Sequence, residues 1–366
     1  MEIVRKKTRV IRIGNVSIGG DNPILVQTMT SIPAHDIGKT IAQIKKLEET
    51  GAEIIRVAVP DKKAAFSLGK IKKQMKVPLV ADIHYDYKLA IESINQGADK
   101  IRINPGNIGG PERVRLIIGK ARERNVPIRI GVNEGSLNII KNNNSYYLLN
   151  PNRRAHQMVK ELLQYIKIFE SDNFFNLVLS LKSSDILTTV SAYKMISNLR
   201  DYPLHIGITE AGGLVAGSVR SSIGIGMLLS EGIGDTIRVS LSAHPQEEIK
   251  VGREILKSLS LRKMGPYIIS CPTCGRCNVD IIGTVNNAEK MIDKLTKLKP
   301  ALKKTSIKVA IMGCVVNGPG EARDADIGIA GGKTWGILFK KGKAVKRIKE
   351  KQWLPALEKE ILSIAR

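Results

Sequence analysis

The amino-acid sequence predicts an α/β fold: a (β/α)8 TIM-type barrel over residues 1–262, followed by a smaller α+β domain over residues 263–366. Three observations support this prediction. Short β-branched runs recur along the first two-thirds of the chain, and each is followed by a segment with helical periodicity. The repeat then stops near residue 260, and all four cysteines lie beyond it.

Eight runs have the character of buried parallel strands. They are residues 25–30, 54–59, 79–83, 100–104, 128–133, 177–183, 205–210 and 236–241. Amphipathic segments between them, such as 40–50, 111–124, 153–170 and 184–199, predict helices. Most repeats take about 20 to 31 residues, as a βα unit does. A helix over residues 245–260 closes the predicted barrel.

One repeat is longer than the others. Residues 138–153, between the fifth and sixth strands, are polar and rich in asparagine, and they predict a mobile loop. An open, doubly wound sheet is the alternative to the closed barrel. The Gly-x-Gly-x-x-Gly that usually opens the first βα turn of such a sheet is absent from the sequence, which favours the barrel.

Four predicted strands share an Ile-Arg-Val or Ile-Arg-Ile core. Their central residues are Arg56, Arg102, Arg129 and Arg238. Side chains alternate between strand faces, so if the flanking apolar residues pack under the helices, the arginines point into the barrel. Lys182 adds a fifth cation, and a single arginine could pair with Asp82 or Glu210. Two carboxylates are too few for five buried cations, so the pattern predicts a phosphate or diphosphate ligand.

Polar residues also follow the strands, where barrel enzymes carry their catalytic groups. They are Gln27, Asp82, His84, Asn104, Asn107, Asn133, Ser136, Glu210 and Ser240. A single polar residue at such a place is often only a helix cap, but the whole set indicates a site. Glycine-rich turns at 104–107 and 210–213 would bring backbone N–H groups close to an anion.

The cysteines lie in two tight turns that contain glycine and proline. Cys271, Cys274 and Cys277 form a C-x-x-C-x-x-C motif, and Cys314 follows in a Gly-rich segment that includes Glu321. This spacing favours a [4Fe–4S] cluster. Structural zinc, a redox dithiol and buried thiols without metal are the alternatives, although zinc usually shows a second C-x-x-C or two histidines. A Glu321 carboxylate could be a weak, exchangeable ligand to one iron.

The chain carries a formal net charge of +24, with 58 Lys and Arg against 34 Asp and Glu. An RNA- or DNA-binding protein with structural zinc would explain the charge, but the basic residues are scattered and aromatic residues make up only 4%. We expect no nucleic-acid partner. The sequence shows neither a membrane span nor a signal peptide, so we expect a cytoplasmic protein with reduced thiols.

Seven segments give the chain a resemblance to one family. They are VQTMT at 26–30, VADIH at 80–84, RINPGNIG at 102–109, GITEAGG at 207–213, LSEGIGDT at 229–236, SCPTC at 270–274 and GCVVNGPGE at 313–321. The chain resembles the 4-hydroxy-3-methylbut-2-enyl diphosphate synthases, the methylerythritol cyclodiphosphate reductases of the non-mevalonate isoprenoid pathway. The resemblance covers nearly the whole chain and fits the compact bacterial two-domain form.

The resemblance implies a smaller α+β iron–sulfur domain with one [4Fe–4S] cluster per chain. The implied cluster ligands are Cys271, Cys274, Cys314 and Glu321, which leaves Cys277 as a departure whose role is open. Arg56, Arg102, Arg129 and Lys182 would hold the cyclic diphosphate, with His84, Asn133, Arg238 and Ser240 nearby. Glu210 would lie near the reacting carbons, and Asn317 would reach the substrate from the cluster side.

The implied reaction uses two electrons to open the cyclodiphosphate ring and expel one hydroxyl group as water. Reduced flavodoxin or ferredoxin would supply the electrons, and part of the positive charge would then attract these acidic carriers. The resemblance also implies a homodimer in which each cluster domain covers the barrel mouth of its partner, with a hinge over residues 262–266. A phosphate-sugar aldolase in which Lys182 forms a Schiff base is another class that fits the barrel.

Overall fold

The computed structural model describes residues 3–141, 144–277, 279–314, 320, 322–332 and 334–364. The chain divides into two compact units, Met1–Leu261 and Arg262–Arg366. No helix within the described ranges is both long enough and apolar enough to cross a membrane.

The described residues of the first unit form a β-hairpin and then eight parallel strands. The hairpin consists of β1 (Ile11–Ile13) and β2 (Val16–Ile18). The parallel strands are β3 (Leu25–Met29), β4 (Ile54–Ala58), β5 (Leu79–Asp82), β6 (Lys100–Ile103), β7 (Ile128–Asn133), β8 (Leu177–Lys182), β9 (His205–Ile206) and β10 (Thr236–Ile237). The helices are α1 (Ile37–Thr50), α2 (Lys62–Lys72), α3 (Tyr87–Asn95), α4 (Pro105–Ile108), α5 (Pro111–Glu123), α6 (Asn138–Lys141), α7 (Pro151–Ser171), α8 (Ile186–Leu199), α9 (Leu214–Ser230) and α10 (Pro245–Ser258).

The parallel strands curl into a nearly closed barrel, which confirms the predicted fold. Their order is β8-β7-β6-β5-β4-β3-β10-β9, and the two ends of the sheet meet through a parallel bridge between Leu179 and Leu204. β9 and β10 are shorter than the predicted strands 205–210 and 236–241. At the end of β9 the chain turns at Gly207, whose φ of +156° is a conformation that glycine adopts and that other residues rarely do.

The N-terminal hairpin closes the barrel end at which the strands begin. Ile11, Ile13 and Ile18 pack in one buried cluster with strand residues that include Leu25 and Ile54. The hairpin therefore covers apolar side chains at the start of the strands, which water would otherwise reach. This hairpin was not predicted from the sequence.

The segment predicted as a mobile loop over residues 138–153 contains more structure than expected. The short helix α6 is followed by a 3-10 helix over Asn144–Leu148, and α7 begins at Pro151. Asn150 caps α7 because its side chain accepts a hydrogen bond from the N–H of Arg153. The fully buried Tyr146 anchors the segment to the barrel. Asn142 and Asn143 lie outside the described residues.

The second unit has the predicted α+β character and its own mixed sheet. Its strands, in spatial order, are β11 (Tyr267–Ser270), β12 (Lys308–Met312), β13 (Ile327–Gly331), β14 (Trp335–Lys340) and β15 (Lys343–Lys349). The first three are parallel and the last two antiparallel. Helices α11 (Ile281–Leu298) and α12 (Trp353–Ile364) contribute Ile292, Trp353 and Leu357 to a core shared with β12, β13 and β14.

Candidate active site

The strand registers arrange the polar interior of the barrel in layers. In an eight-stranded parallel barrel, inward side chains of alternate strands form layers of four. One layer consists of Gln27, Val80, Arg129 and His205, and the next layer toward the carboxyl ends of the strands consists of Arg56, Arg102, Ser180 and Arg238. The arginines of the four Ile-Arg motifs therefore occupy two adjacent layers inside the barrel.

Asp82 is the carboxylate at the centre of three basic side chains. Its Oδ1 lies 3.3 Å from Arg102 Nη1, and its Oδ2 lies 3.7 Å from Arg56 Nε. The more exposed His84 reaches the same carboxylate, with Nε2 3.4 Å from Oδ2. Burial alone would raise the pKa of Asp82. Arg56, Arg102 and Arg129 together with the His84 hydrogen bond outweigh burial, so the pKa lies below its ordinary value.

Arg238 pairs with a carboxylate that was not considered from the sequence. Its Nη2 lies 3.3 Å from Oε1 of Glu248, a buried residue of α10. Glu248 also accepts hydrogen bonds from Thr28 Oγ1 at 2.9 Å and from the N–H of Leu241 at 3.1 Å. Glu210, which was considered as a counter-charge, is instead exposed and has a φ of +54°. Glu248 therefore replaces Glu210 as the second carboxylate of the cationic interior.

Positive charge still exceeds negative charge inside the barrel. Arg129 is 1% exposed, and its Nε and Nη1 have no hydrogen-bond partner among the described residues. The same holds, within the described part of the chain, for Lys100 Nζ and both amide atoms of Gln27. Burial and neighbouring guanidinium groups hold the pKa values of Arg129, Lys100 and Lys182 well below their ordinary range. Burial also lowers the pKa of Arg56, to about 10.

These unsatisfied donors fit a multiply charged anion. A buried cation without a partner is costly, and an anion that accepts its hydrogen bonds removes that cost. Guanidinium groups are suited to phosphate oxygens because their donors form a planar fork. Lys100 escaped the sequence analysis, although its position two residues before Arg102 on one strand placed it on the same face.

The loop after β7 is fixed by a hydrogen-bonded chain of side chains. Asn104 Nδ2 donates to Ser136 Oγ at 2.9 Å, and Ser136 Oγ donates to the carbonyl oxygen of Asn133 at 2.7 Å. Asn133 is half-buried at the end of β7. Ser240, also half-buried, follows β10 at the same end of the barrel. Candidate substrate-binding residues from non-adjacent strands therefore lie around one mouth.

Glu134, which the sequence analysis did not identify, joins two of the mouth loops. It is buried and accepts hydrogen bonds from Tyr146 Oη at 3.1 Å, from Arg154 Nη1 at 3.2 Å and from Ser183 Oγ. Ser183 directly follows Lys182. Glu134 thus ties the loop that carries Asn133 to the strand end that carries Lys182.

The cysteine turns follow two neighbouring parallel strands of the second unit. β11 ends at Ser270 and β12 at Met312, with Ser270 level with Ile311, so Cys271 and Cys314 emerge at one edge of the sheet. The N–H of Gly313 donates to Cys271 Sγ at 3.1 Å. A Cβ at Gly313 would clash with Cys277 Sγ and lie 3.6 Å from Cys271 Sγ. Because residue 313 is a glycine, the Cys271 and Cys277 thiols can lie close to the backbone that follows β12.

The types of donor at this edge of the sheet fit an iron–sulfur cluster. Thiols follow two adjoining strands, and one of them receives a backbone N–H, as cluster thiolates do. Within the described ranges, no group of three or more His, Cys, Asp or Glu side chains is arranged to hold a metal ion. Two further predicted site residues, Glu321 and Asn317, lie outside the described residues.

Comparison with known families covers both units of the chain. The family description "GcpE TIM-barrel domain" matches residues 8–253, and "GcpE protein C-terminal domain" matches residues 267–363. The chain belongs to the GcpE family. Family membership agrees with the resemblance drawn from the sequence motifs, and it makes the chain an enzyme.

Curated GcpE relatives match over nearly their whole length. A protein of Caldanaerobacter subterraneus subsp. tengcongensis is 54% identical over 98% of this chain and 97% of its own, and one of Clostridium acetobutylicum is 52% identical over 98% and 99%. Both are named 4-hydroxy-3-methylbut-2-en-1-yl diphosphate synthase (flavodoxin). Among solved structures, N-acetylneuraminic acid synthetase from Leptospira borgpetersenii serovar Hardjo-bovis shares the fold, with a TM-score of 0.50 at 13% identity over 69% of this chain and 90% of that one.

Proposed function

We propose that this chain reduces 2-C-methyl-D-erythritol 2,4-cyclodiphosphate to 4-hydroxy-3-methylbut-2-enyl diphosphate, a step of isoprenoid precursor biosynthesis. The observation that carries the proposal is the cationic interior of the barrel. Arg56, Arg102, Arg129 and Lys182 are all buried there, and among the described residues Asp82 is the carboxylate within ion-pair distance of any of them. A cyclic diphosphate supplies the missing negative charge, and the names of the curated relatives identify the product.

The cations also favour the chemical step. Ring opening breaks the carbon–oxygen bond to one phosphate, so the diphosphate gains a negative charge as the reaction proceeds. Fixed guanidinium groups in a water-poor interior stabilise that charge more strongly in the transition state than in the substrate. Arg56 and Arg102 are already oriented by Asp82 before substrate arrives. His84, Asn133, Arg238 and Ser240 would complete the contacts around the mouth.

The second unit would hold one [4Fe–4S] cluster through Cys271, Cys274, Cys314 and Glu321. A cluster held by these residues would supply one-electron transfer and Lewis acidity. The N–H of Gly313 already donates a hydrogen bond to Cys271 Sγ, one of these ligands. Glu210 would lie near the reacting carbons, and Asn317 would contact the substrate from the cluster side.

Reduced flavodoxin or ferredoxin would donate the electrons. Both are acidic proteins, and a chain with a net charge of +24 attracts them at long range. We expect the second-order rate of reduction by flavodoxin to fall at least about tenfold between low and high ionic strength. A rate that is independent of salt would remove this role from the positive charge.

We further propose a cytoplasmic homodimer in which each site combines two chains. α10 starts at the mouth, after β10, and its 14 residues carry the chain about 21 Å toward the opposite end of the strands. The second unit follows α10 in the chain, and we propose that it covers the barrel mouth of the partner. Mixed dimers of Cys314→Ala and Arg129→Ala chains should regain about half of the activity of one intact dimer. Complete inactivity of the mixed dimer would refute sharing.

The decisive test combines metal analysis with turnover. Anaerobically purified protein should contain about four iron and four sulfide per chain. Its dithionite-reduced EPR signal should change on addition of the cyclodiphosphate, and mass spectrometry should detect the linear diphosphate. The Cys274→Ser variant should lose both iron and turnover, whereas Cys277→Ser serves as the matched control and should keep them. Zinc instead of iron, or no product from iron-loaded protein, would refute the proposal.

A further inference from the structure

The fully buried His205 contacts Lys182 inside the barrel. Lys182 Nζ is 3.4 Å from His205 Nε2, and His205 Nδ1 is 2.8 Å from Thr236 Oγ1. The three residues belong to β8, β9 and β10, which are neighbours around the barrel. They form a linear chain of polar contacts that begins at a candidate diphosphate-binding group and ends in the strand that leads to Arg238.

The direction of each hydrogen bond follows from donor counting for the protonated Lys182 that binds an anion. Such an ammonium has donors and no acceptor, so His205 Nε2 accepts from it. The proton of a neutral imidazole then sits on Nδ1 and is donated to Thr236 Oγ1. Burial and the surrounding cations hold the pKa of His205 well below its ordinary value, which keeps the ring neutral. The cations that act on His205 are Arg129, Lys182, Lys100 and Arg56. Those that act on Lys182 are Arg129, Arg238, Arg56 and Arg102.

β8 and β9, the two end strands of the sheet, have little backbone pairing with each other near His205. β8 and β9 pair there through the single described bridge Leu179–Leu204. Tyr193 Oη donates to the carbonyl oxygen of His205 at 2.6 Å and accepts from the N–H of Leu181 at 3.1 Å. A side chain on α8 therefore fixes the strand of His205 against the strand of Lys182.

Gly207 leaves the space that the Lys182 amine occupies. A Cβ at this position would lie 3.1 Å from Lys182 Nζ and would clash with the carbonyl oxygen of Arg238. Four features thus fix the position of the Lys182 amine. His205 accepts its hydrogen bond, and Thr236 sets the tautomer of His205. Tyr193 holds β9 against β8, and Gly207 leaves space for the amine.

We propose that His205 is a positioning residue for Lys182, which it orients toward the diphosphate by accepting a hydrogen bond at Nε2 while Thr236 fixes its tautomer. The inference rests on the proposed function for the identity of the anion, but the contact itself is independent of it. His205 touches no reacting atom, and it acts through Lys182. The ammonium gains an acceptor on its buried side and keeps its remaining donors for the phosphate oxygens.

Two substitutions at His205 separate its two ring nitrogens. His205→Asn keeps a polar atom near Nδ1 and loses the acceptor at Nε2, whereas His205→Gln keeps an acceptor near Nε2. In the anaerobic full-length chain, we expect His205→Asn to weaken calorimetric binding of inorganic pyrophosphate about tenfold, the effect of one hydrogen bond to a charged group. His205→Gln should restore most of that loss. Melting temperatures of both variants report whether the fold is intact.

A double-mutant cycle tests whether the effect passes through Lys182. In a Lys182→Met background, His205→Asn should cause less than about a twofold further loss of pyrophosphate affinity, because its target is gone. An equal tenfold loss in both backgrounds would show a merely structural role and would overturn the inference. So would equal affinity of His205→Asn and the wild type.

The ionisation of Lys182 gives a readout that does not need a ligand. Competitive acetylation followed by mass spectrometry reports the pH at which Lys182 becomes reactive. His205→Asn should lower that pH because the ammonium loses an acceptor, and His205→Gln should leave it near the wild-type value. An unchanged pH in His205→Asn would overturn the inference. A lowered pH in a chain that binds neither pyrophosphate nor the cyclodiphosphate would support the His205–Lys182 contact and refute the proposed function.

Discussion

Replacing Asp82 with asparagine removes the carboxylate that Arg56 and Arg102 share while changing the size of the side chain very little. Asp82 is 2% exposed, so water cannot screen the neighbouring cations once the carboxylate is removed. The neighbouring Arg129 also acts on this carboxylate. In the variant, several buried cations lose their common counter-charge, and the folded state becomes less stable when no anion is bound.

The distances set the size of the effect. At an effective dielectric constant of about 20, unit charges separated by the 3.3 Å and 3.7 Å observed here attract by about 5 and about 4.5 kcal/mol. Desolvation of the carboxylate and repulsion among the guanidinium groups offset much of this attraction, and loss of one partner from a buried pair costs about 3–5 kcal/mol. Taking the lower end, because asparagine still accepts a hydrogen bond, we expect the melting temperature to fall by about 6–12 °C.

Thermal unfolding with and without inorganic pyrophosphate is the assay. Pyrophosphate should stabilise Asp82→Asn more than the wild type, because the added anion takes over the lost charge. Asp61→Asn is the matched control: Asp61 caps α2, a position at which asparagine caps equally well, so its melting temperature should change by less than about 2 °C. A melting temperature of Asp82→Asn equal to that of Asp61→Asn, with no extra pyrophosphate effect, would refute the reasoning.

The pH dependence of the same difference has a definite sign. The pKa of Asp82 in the folded chain lies below its ordinary value of about 4. Its contribution to stability is therefore present above that ordinary value and is lost as the pH falls through the folded pKa. The difference in melting temperature between the wild type and Asp82→Asn should be constant near neutrality and shrink only in acid.

Three further perturbations test other parts of the interior. Arg129→Met should raise the KM for the cyclodiphosphate at least about tenfold while leaving the ligand-free melting temperature unchanged or higher, because it removes a buried cation; a lower melting temperature would contradict this. Pyrophosphate binding should take up protons in calorimetry and weaken as the pH rises, because burial lowers the pKa values of Lys100 and Lys182 before an anion binds; binding without proton exchange would count against it. Glu134→Gln, which removes the charge, should raise KM about tenfold. Tyr146→Phe, which removes one hydrogen-bond donor to Glu134, should raise KM less than about threefold. Equal effects would show that the charge of Glu134 has no special role.

The strand pattern and the Ile-Arg motifs made the barrel predictable. Alternation within each strand is a local property, so the sequence was enough to place Arg56, Arg102 and Arg129 on one face. The cysteine spacing likewise marks a local turn. The residues that these arginines and cysteines contact in space depend on which strands are neighbours. That neighbourhood is set by the strand register of the folded sheet, which the sequence alone does not give. The sequence therefore predicted the cations better than it predicted how they are balanced.

Glu248 shows why the balance was missed. It lies on α10, ten positions after Arg238, in a segment whose acidic residues look like those of any helix N-terminus. Only the packing of α10 on β3 turns this carboxylate inward, where Thr28 also binds it. The hairpin strands β1 and β2 escaped prediction for another reason. Each has three residues, too few for the alternation that identifies a strand.

The two interior carboxylates divide the cations into two kinds. Asp82 and Glu248 orient Arg56, Arg102 and Arg238 before any ligand binds, so an anion gains little by ordering them and must share them with a carboxylate. Arg129 and Lys182 have no carboxylate within ion-pair distance among the described residues, so a bound anion supplies the counter-charge that they lack. Affinity for the diphosphate should therefore depend most on Arg129 and Lys182. The carboxylate-bound arginines instead set where the diphosphate lies, which is what a reaction that breaks one particular carbon–oxygen bond requires.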